Sequence, residues 1–300
     1  MSKSPFISYI IPFYNGRKHL VEAVESVLNQ TIQDVEIIVV DDGSPEPCSD
    51  IVAQFERVRV VKTQNHGVSG ARNVGLSIAL GEFVAFLDQD DVVYPSHAER
   101  LTMAMSCDPE ISCAFSNVVI LREGAEPKEE NFATYDSALD LFKSRMTFSM
   151  GALVFRHCDL VGLGGFDLTA CNLGEDWDFC LRVARFRKLV YVPEPLFGFR
   201  RHEAQASQGA DRMARGALSI LRKHKWFTGP GRMSRQEVKR ARAGILGYWA
   251  QWYRSQLKAA GGLNLRAVRL FGRLMRHPFL VSHVLLPPLR RISQLNGRQR

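Results

Sequence analysis

The sequence contains no run near the roughly 18 consecutive apolar residues that a membrane-spanning helix needs. Its opening, Met1-Ser2-Lys3-Ser4-Pro5, is followed by no apolar signal core. Neither a spanning segment nor a leader is expected, so the expected location is the cytoplasm. None of the six cysteines (Cys48, Cys107, Cys113, Cys158, Cys171, Cys180) forms a Cys-x-x-Cys pair. That leaves no zinc signature and no disulfide framework, and the thiols read as small core residues in a reducing compartment. Internal repeats are absent as well. Acids are almost missing from the end of the chain: residues 212–300 hold 20 Lys+Arg and only Glu237, whereas residues 1–211 hold 19 Lys+Arg and 30 Asp+Glu.

What is present is enough apolar material, 46% of 300 residues, for one large domain with an appendage. The first half alternates short Val/Ile/Phe-rich runs (Phe6 to Ile11, Val35 to Val40, Val58 to Val61, Glu82 to Leu87) with helical patterns (His19 to Gln30, Ser69 to Leu80). This alternation predicts a largely parallel α/β sheet whose strands are buried on both faces, with Gly81 closing the second helix in a left-handed cap. Beyond it a helix opened by Pro95, a strand over Ser112 to Ile120, and a polar surface loop over residues 122–131 are expected. A second sheet-like portion is expected from Gly151 to Phe155 and Leu189 to Val192, around a helix from Asp176. The body is expected to span residues 1–210. Residues 211–300 read as a basic, amphipathic helical extension, with a capping box at Ser234 to Glu237 and a stop at Gly261-Gly262.

Two acidic clusters follow strands directly. Asp41-Asp42-Gly43-Ser44 ends the second strand, at the carboxyl edge where open α/β sheets collect ligands. An ionised Asp42 accepts hydrogen bonds from a base imide or a ribose hydroxyl, and a solvated turn is the other reading of these residues. Asp88-Gln89-Asp90-Asp91 ends the fourth strand. In extended chain Asp88 and Asp90 share a side, and carboxylates so crowded call for a positive charge, with Mg²⁺ or Mn²⁺ suited to oxygen ligands. A plain acidic turn is the alternative.

Taken together, Ile10-Ile11-Pro12-Phe13-Tyr14-Asn15, Ser26 to Thr31, Asp41 to Ser44, Gly67 to Asn73 and Gly81 to Asp91 resemble family 2 glycosyltransferases of the GT-A fold, over roughly residues 5 to 210. The resemblance implies a Rossmann-like, mostly parallel sheet flanked by helices. It further implies an inverting transferase that moves a sugar from a nucleotide-diphosphate donor, UDP-linked first, to a glycan or lipid-linked acceptor in cell-surface polysaccharide synthesis. Asp42 would contact the base, Asp88 the ribose or metal, and Asp90 the metal at the diphosphate. Pro12, Tyr14, Asn15, Arg72, Asn73 and Gln89 would line the nucleotide-sugar. In Gly174-Glu175-Asp176-Trp177-Asp178, Asp176 matches the family's general base, with Glu175 as its neighbour; a helix N-cap is the structural alternative. Phe199-Arg200-Arg201-His202 resembles the family's Arg-x-His segment, with His202 facing the Mn²⁺ or Mg²⁺. Trp177 and Phe179 are candidates for stacking on a sugar.

Other functions fit less of the sequence. A sugar-phosphate nucleotidyltransferase carries a glycine-rich, basic loop after the first strand, but Phe13-Tyr14-Asn15-Gly16 has one glycine. The basic region could seek nucleic acid. Its charges interleave with Trp, Phe and Leu, however, which suits peripheral contact with an anionic membrane at the inner face, packing on the body, or pairing in a homodimer rather than a specific nucleic acid.

Overall fold

The computed structural model describes residues 4–131, 149–169 and 174–202, together with Gly216, Ser219, Ile220, Lys223, His224 and Lys239. The chain divides into two compact units, Met1–Gln205 and Ala206–Arg300. The capping box and, apart from Lys239, the helices expected after residue 234 lie outside the described residues. No helix among the described residues is long and apolar enough to cross a membrane.

The first unit is built on one sheet. Strand β1 (Ile7–Phe13) is buried along its whole length and pairs in parallel with β2 (Val35–Asp41) on one side and β4 (Phe83–Phe86) on the other. Strand β3 (Val58–Lys62) pairs with β2 at the sheet's edge and is only half-buried, so the expectation of burial on both faces fails there. The carboxyl ends of β1, β2 and β4 therefore point one way, side by side. Helix α1 (Arg17–Leu28) buries Leu20, Ala23, Val24 and Val27, a one-face stripe. Helix α2 (Ser49–Val52) is a single turn.

Helix α3 (Gly67–Ile78) carries Gly70, Ala71 and Gly75 on its buried side. A Cβ at Gly75 would stand 2.3 Å from Ile10 Cγ2, so glycine lets the helix lie close on β1. The helix ends two residues before the expected Leu80, with Ala79 extended. Gly81 is not a left-handed cap. Its Cβ would meet the Ser8 nitrogen at 2.6 Å, so glycine serves a backbone crossing there.

Past β4 the sheet becomes mixed, in the order β3-β2-β1-β4-β8-β6-β9-β5. Its remaining members are β5 (Val92–Val93), β6 (Ile111–Arg122), β7 (Ala125–Glu130), β8 (Leu153–Arg156) and β9 (Lys188–Arg201). Two expectations are corrected. The polar stretch read as a loop contains β7, antiparallel to β6. Its residues are nearly all exposed, so no apolar alternation marked it. The expected second portion of sheet joins the first, because β8 pairs with both β4 and β6. Among the described residues the remaining helices of this unit are α4 (His97–Met105), α5 (His157–Gly162) and α6 (Glu175–Phe186). Under the sheet, Phe166 stacks on Phe179 at 4.1 Å and both meet Phe86 edge-on. Phe179 is thus core, and Trp177 is buried too rather than presented for stacking. The described cysteines are all free.

Candidate active site

Because β1, β2 and β4 are neighbours, the three loops that leave them meet. The Tyr14 amide donates to Gln89 Oε1 at 2.9 Å, and Gln89 Nε2 donates to the Tyr14 carbonyl at 3.3 Å. The Asn15 amide, at φ 50°, donates to Ser44 Oγ at 3.1 Å. These bonds make one rim of Tyr14, Asn15, Ser44 and Gln89, from which the Tyr14 ring projects, about half exposed, while Pro12 is buried within β1.

Both aspartates at the end of β2 are buried. Asp41 Oδ1 accepts the Ser44 amide at 2.9 Å, bending the turn. Asp42 Oδ1 accepts the His66 amide at 2.9 Å, which ties the start of α3 to the β2 end. An acidic turn in solvent is thereby excluded for this pair.

Arg72 is the centre of the site. Its side chain is 2% exposed and its Cζ stands 5.3 Å from the centroid of the Phe166 ring. Nη2 donates to Asp88 Oδ1 at 2.8 Å, Nη1 donates to Asp176, and Glu175 Oε1 lies 3.9 Å from Nη1. Burial alone would weaken the guanidinium's charge, but the three carboxylates hold its pKa above the ordinary arginine value. Asn73, the next residue, has its amide engaged in both senses by Phe166: Nδ2 donates to the carbonyl at 2.8 Å and Oδ1 accepts the amide at 2.7 Å.

Glu175 and Asp176 sit in the first turn of α6, where carboxylates suit the helix dipole, although no side chain caps that helix. Asp178, on the same turn, is fully buried against Arg182 at 2.9 Å. The Asp176 side chain is 27% exposed. Desolvation pushes its carboxyl up to about 8, opposed by the Arg72 charge and aided by Glu175 and Asp88. A carboxylate tuned into this range and open on one side has the properties of a base working near neutral pH.

At the other corner His202 Nε2 lies 2.7 Å from Asp90 Oδ2. Burial, then the Asp88 charge, raises the Asp90 carboxyl above its ordinary value, while His202 opposes this. Asp91 is raised well above it by burial, with Asp88 and Asp90 adding to the shift. Crowded carboxylates with too little positive charge match a divalent cation in chemistry, and an Asp-Asp-His donor set suits Mn²⁺ or Mg²⁺. Asp88, however, is turned toward Arg72, and no three described His, Cys, Asp or Glu side chains converge as a ready ion site.

Of the residues expected from sequence, Arg72 brings Asp88, Glu175 and Asp176 together, His202 meets Asp90, and Tyr14 meets Gln89, whereas Pro12, Trp177 and Phe179 are buried and Asn73 is bound to the Phe166 backbone. Arg200 and Asp91, which lie in the two motifs without an expected role, gain one here. The Arg200 amide donates to Asp91 Oδ1 at 2.8 Å, its Nε donates to the Asp90 carbonyl at 2.9 Å, and its Nη2 meets Glu22 of α1 at 2.6 Å. The signal available was the two-residue spacing from Arg200, at the end of β9, to His202 just past it.

The Glycosyl transferase family 2 profile matches residues 8–160. The putative glycosyltransferase EpsH of Bacillus subtilis (strain 168) is 35% identical over 221 residues, covering 67% of this chain and 62% of EpsH. Two other curated glycosyltransferases are matched over only 34% and 30% of their own length. Among solved structures, S. aureus TarS 1-349 in complex with UDP-GlcNAc superposes with a TM-score of 0.64 at 17% identity, over 93% of this chain and 81% of that one. The mannosyltransferase PcManGT from Pyrobaculum calidifontis, in complex with GDP-Man and Mn2+, gives 0.62 at 17%, over 95% and 84%. At such identity the likeness is one of fold.

Proposed function

Because this chain belongs to glycosyl transferase family 2, we propose that it moves one sugar from a nucleoside-diphosphate donor to an acceptor hydroxyl, inverting the anomeric carbon. The observation that carries this reading is Arg72, which links a donor-side carboxylate, Asp88, to an acceptor-side one, Asp176.

In this reading the nucleotide lies along the rim, with Asp42 accepting from the base and Pro12, Tyr14, Asn15 and Gln89 walling it. Arg72 and Glu175 orient Asp176. As the acceptor oxygen bonds to the anomeric carbon, the bond from that carbon to the diphosphate oxygen breaks, and the hydroxyl proton passes to Asp176. One displacement with one base gives inversion. Asn73 serves by holding the Phe166 turn beneath Arg72. Asp90 and His202, with Asp88, are the residues to hold Mn²⁺ or Mg²⁺. When bound, the cation supplies positive charge for the diphosphate as it departs.

A uridine donor is the first choice, supported by the UDP-GlcNAc held in TarS; the GDP-Man and Mn2+ of PcManGT show that the fold also accommodates guanosine and a divalent ion. Calorimetric titration with UDP and GDP, each with and without Mn²⁺, tests the proposal. Metal-dependent binding of either supports it, and no binding of any nucleoside diphosphate with metal present overturns it. A cell-surface role remains what the sequence resemblance implies, and a cytoplasmic site at the membrane's inner face is argued from the basic residues 212–300, whose charge suits anionic lipid. Flotation of the full chain with anionic but not neutral vesicles is the expected result.

A further inference from the structure

Strand β5 is only two residues long and pairs Val92 and Val93 with Gly198 and Phe197 of β9. Beyond that pairing the Arg200 amide would have no strand to bond on that side. The Asp91 side chain takes the place of one: Oδ1 accepts the amide at 2.8 Å, and the neighbouring Asp90 carbonyl accepts Arg200 Nε at 2.9 Å. Asp91 is 1% exposed, so this bond is shielded from competing water. Two residues further, His202 Nε2 meets Asp90 Oδ2 at 2.7 Å. The side chain that fixes the end of β9 thus comes from the same loop as the carboxylate that His202, the residue after β9, meets.

We propose that Asp91 is a positioning residue for His202: by binding the Arg200 main-chain amide it extends the β9 ladder past β5 and delivers the imidazole to Asp90. In this proposal Asp91, 1% exposed and bonded to the Arg200 amide, acts through His202 and not by contact with donor or ion. Arg200, through its contact at 2.6 Å with Glu22, adds the α1 side of the same latch. The consequence for ion binding rests on the reading of Asp90 and His202 as ion-holding residues; the positioning itself does not.

Crystal structures of Asp91→Ala and Asp91→Asn, with Mn²⁺ titrations of each in the presence of UDP, test the proposal. Asn keeps an oxygen that accepts the Arg200 amide, so Asp91→Asn is expected to keep His202 on Asp90 and to bind Mn²⁺ as the parent does. In Asp91→Ala the imidazole is expected to leave hydrogen-bond distance, and Mn²⁺ affinity to fall about tenfold or more, the usual effect of losing a supporting partner. His202→Ala should fall equally, and the double variant no further. An intact His202–Asp90 contact in Asp91→Ala, or loss in Asp91→Asn as well, overturns the proposal. If the contact breaks yet Mn²⁺ binding is unchanged in both Asp91→Ala and His202→Ala, the ion reading fails and the latch stands. Should Asp91→Ala not fold, hydrogen exchange on the parent protein decides: a protected Arg200 amide is expected, and exchange at an open-strand rate refutes the latch.

Discussion

Arg72 donates to the Asp176 carboxylate across 104 residues of chain, from a helix laid on the first strand to the first turn of a helix beyond the sheet's centre. The same guanidinium holds Asp88 at 2.8 Å. One buried cation therefore fixes the spacing between the donor corner and the base, and several consequences can be measured.

Replacing Arg72 with Met leaves both carboxylates facing an apolar side chain. Each carboxylate keeps some contact with solvent, so the expected loss of folding stability is moderated to roughly 2–4 kcal/mol, below the full cost of breaking a buried pair. Urea denaturation measures it, and an unchanged midpoint would place the ion pairs outside the stability of the fold. Turnover should fall along with stability, because Asp176 is no longer oriented.

Asp176→Asn removes the base without altering shape. Donor binding by calorimetry should persist while transfer drops by ~10²-fold or more, the scale of a lost general base. Normal turnover in that variant removes Asp176 from the role.

The pH dependence follows from the raised Asp176 carboxyl. The group works only when ionised, and burial lifts it to about 8, with Glu175 and Asp88 adding to the rise and Arg72 opposing it. Transfer should accordingly increase as pH rises through about 8 and fall below it. A rate profile flat from pH 6 to pH 9, about two decades of proton activity below and one above that value, contradicts the assignment.

Asp42→Ala should weaken nucleoside diphosphate binding by about tenfold or more, the worth of a hydrogen bond to a charged group. The loss of the His66 amide bond will contribute, so the comparison with Asp42→Asn matters. Asn keeps an acceptor for that amide, and equal binding by Asp42→Asn and the parent would show that the charge does not select the base.

Asn73→Ala separates two roles for one residue. Losing both bonds to the Phe166 backbone should cost about 1–3 kcal/mol of stability. Donor affinity at a temperature where the variant is folded should match the parent; a large rise in Kd with stability intact would instead put the Asn73 amide on the nucleotide.

The buried runs from Ile7, Val35 and Phe83 could be read from composition because parallel strands covered on both faces are continuously apolar. The exposed β7 could not, since a strand without a buried face has no alternation to show. The edge position of β3 was equally hidden, because it depends on what pairs with β2 rather than on Val58 to Val61 themselves.

At the site, the sequence alone determined which chemical groups are on offer: Asp42, Asp88 and Asp90 after strands, Asp176 at the start of a helical run and His202 in the later Arg-x-His segment follow from motif and local pattern. Only the tertiary structure decided their partners. That Arg72 joins Asp88 to Asp176, that Asn73 serves Phe166, and that Asp91 holds Arg200 are contacts over 16, 93 and 109 residues. Such distances close only when the sheet order puts β4 between β1 and β8 and carries β9 back to the loop after β4. A residue's type is local, but its hydrogen-bond partner is set by the packing of elements far apart in the chain.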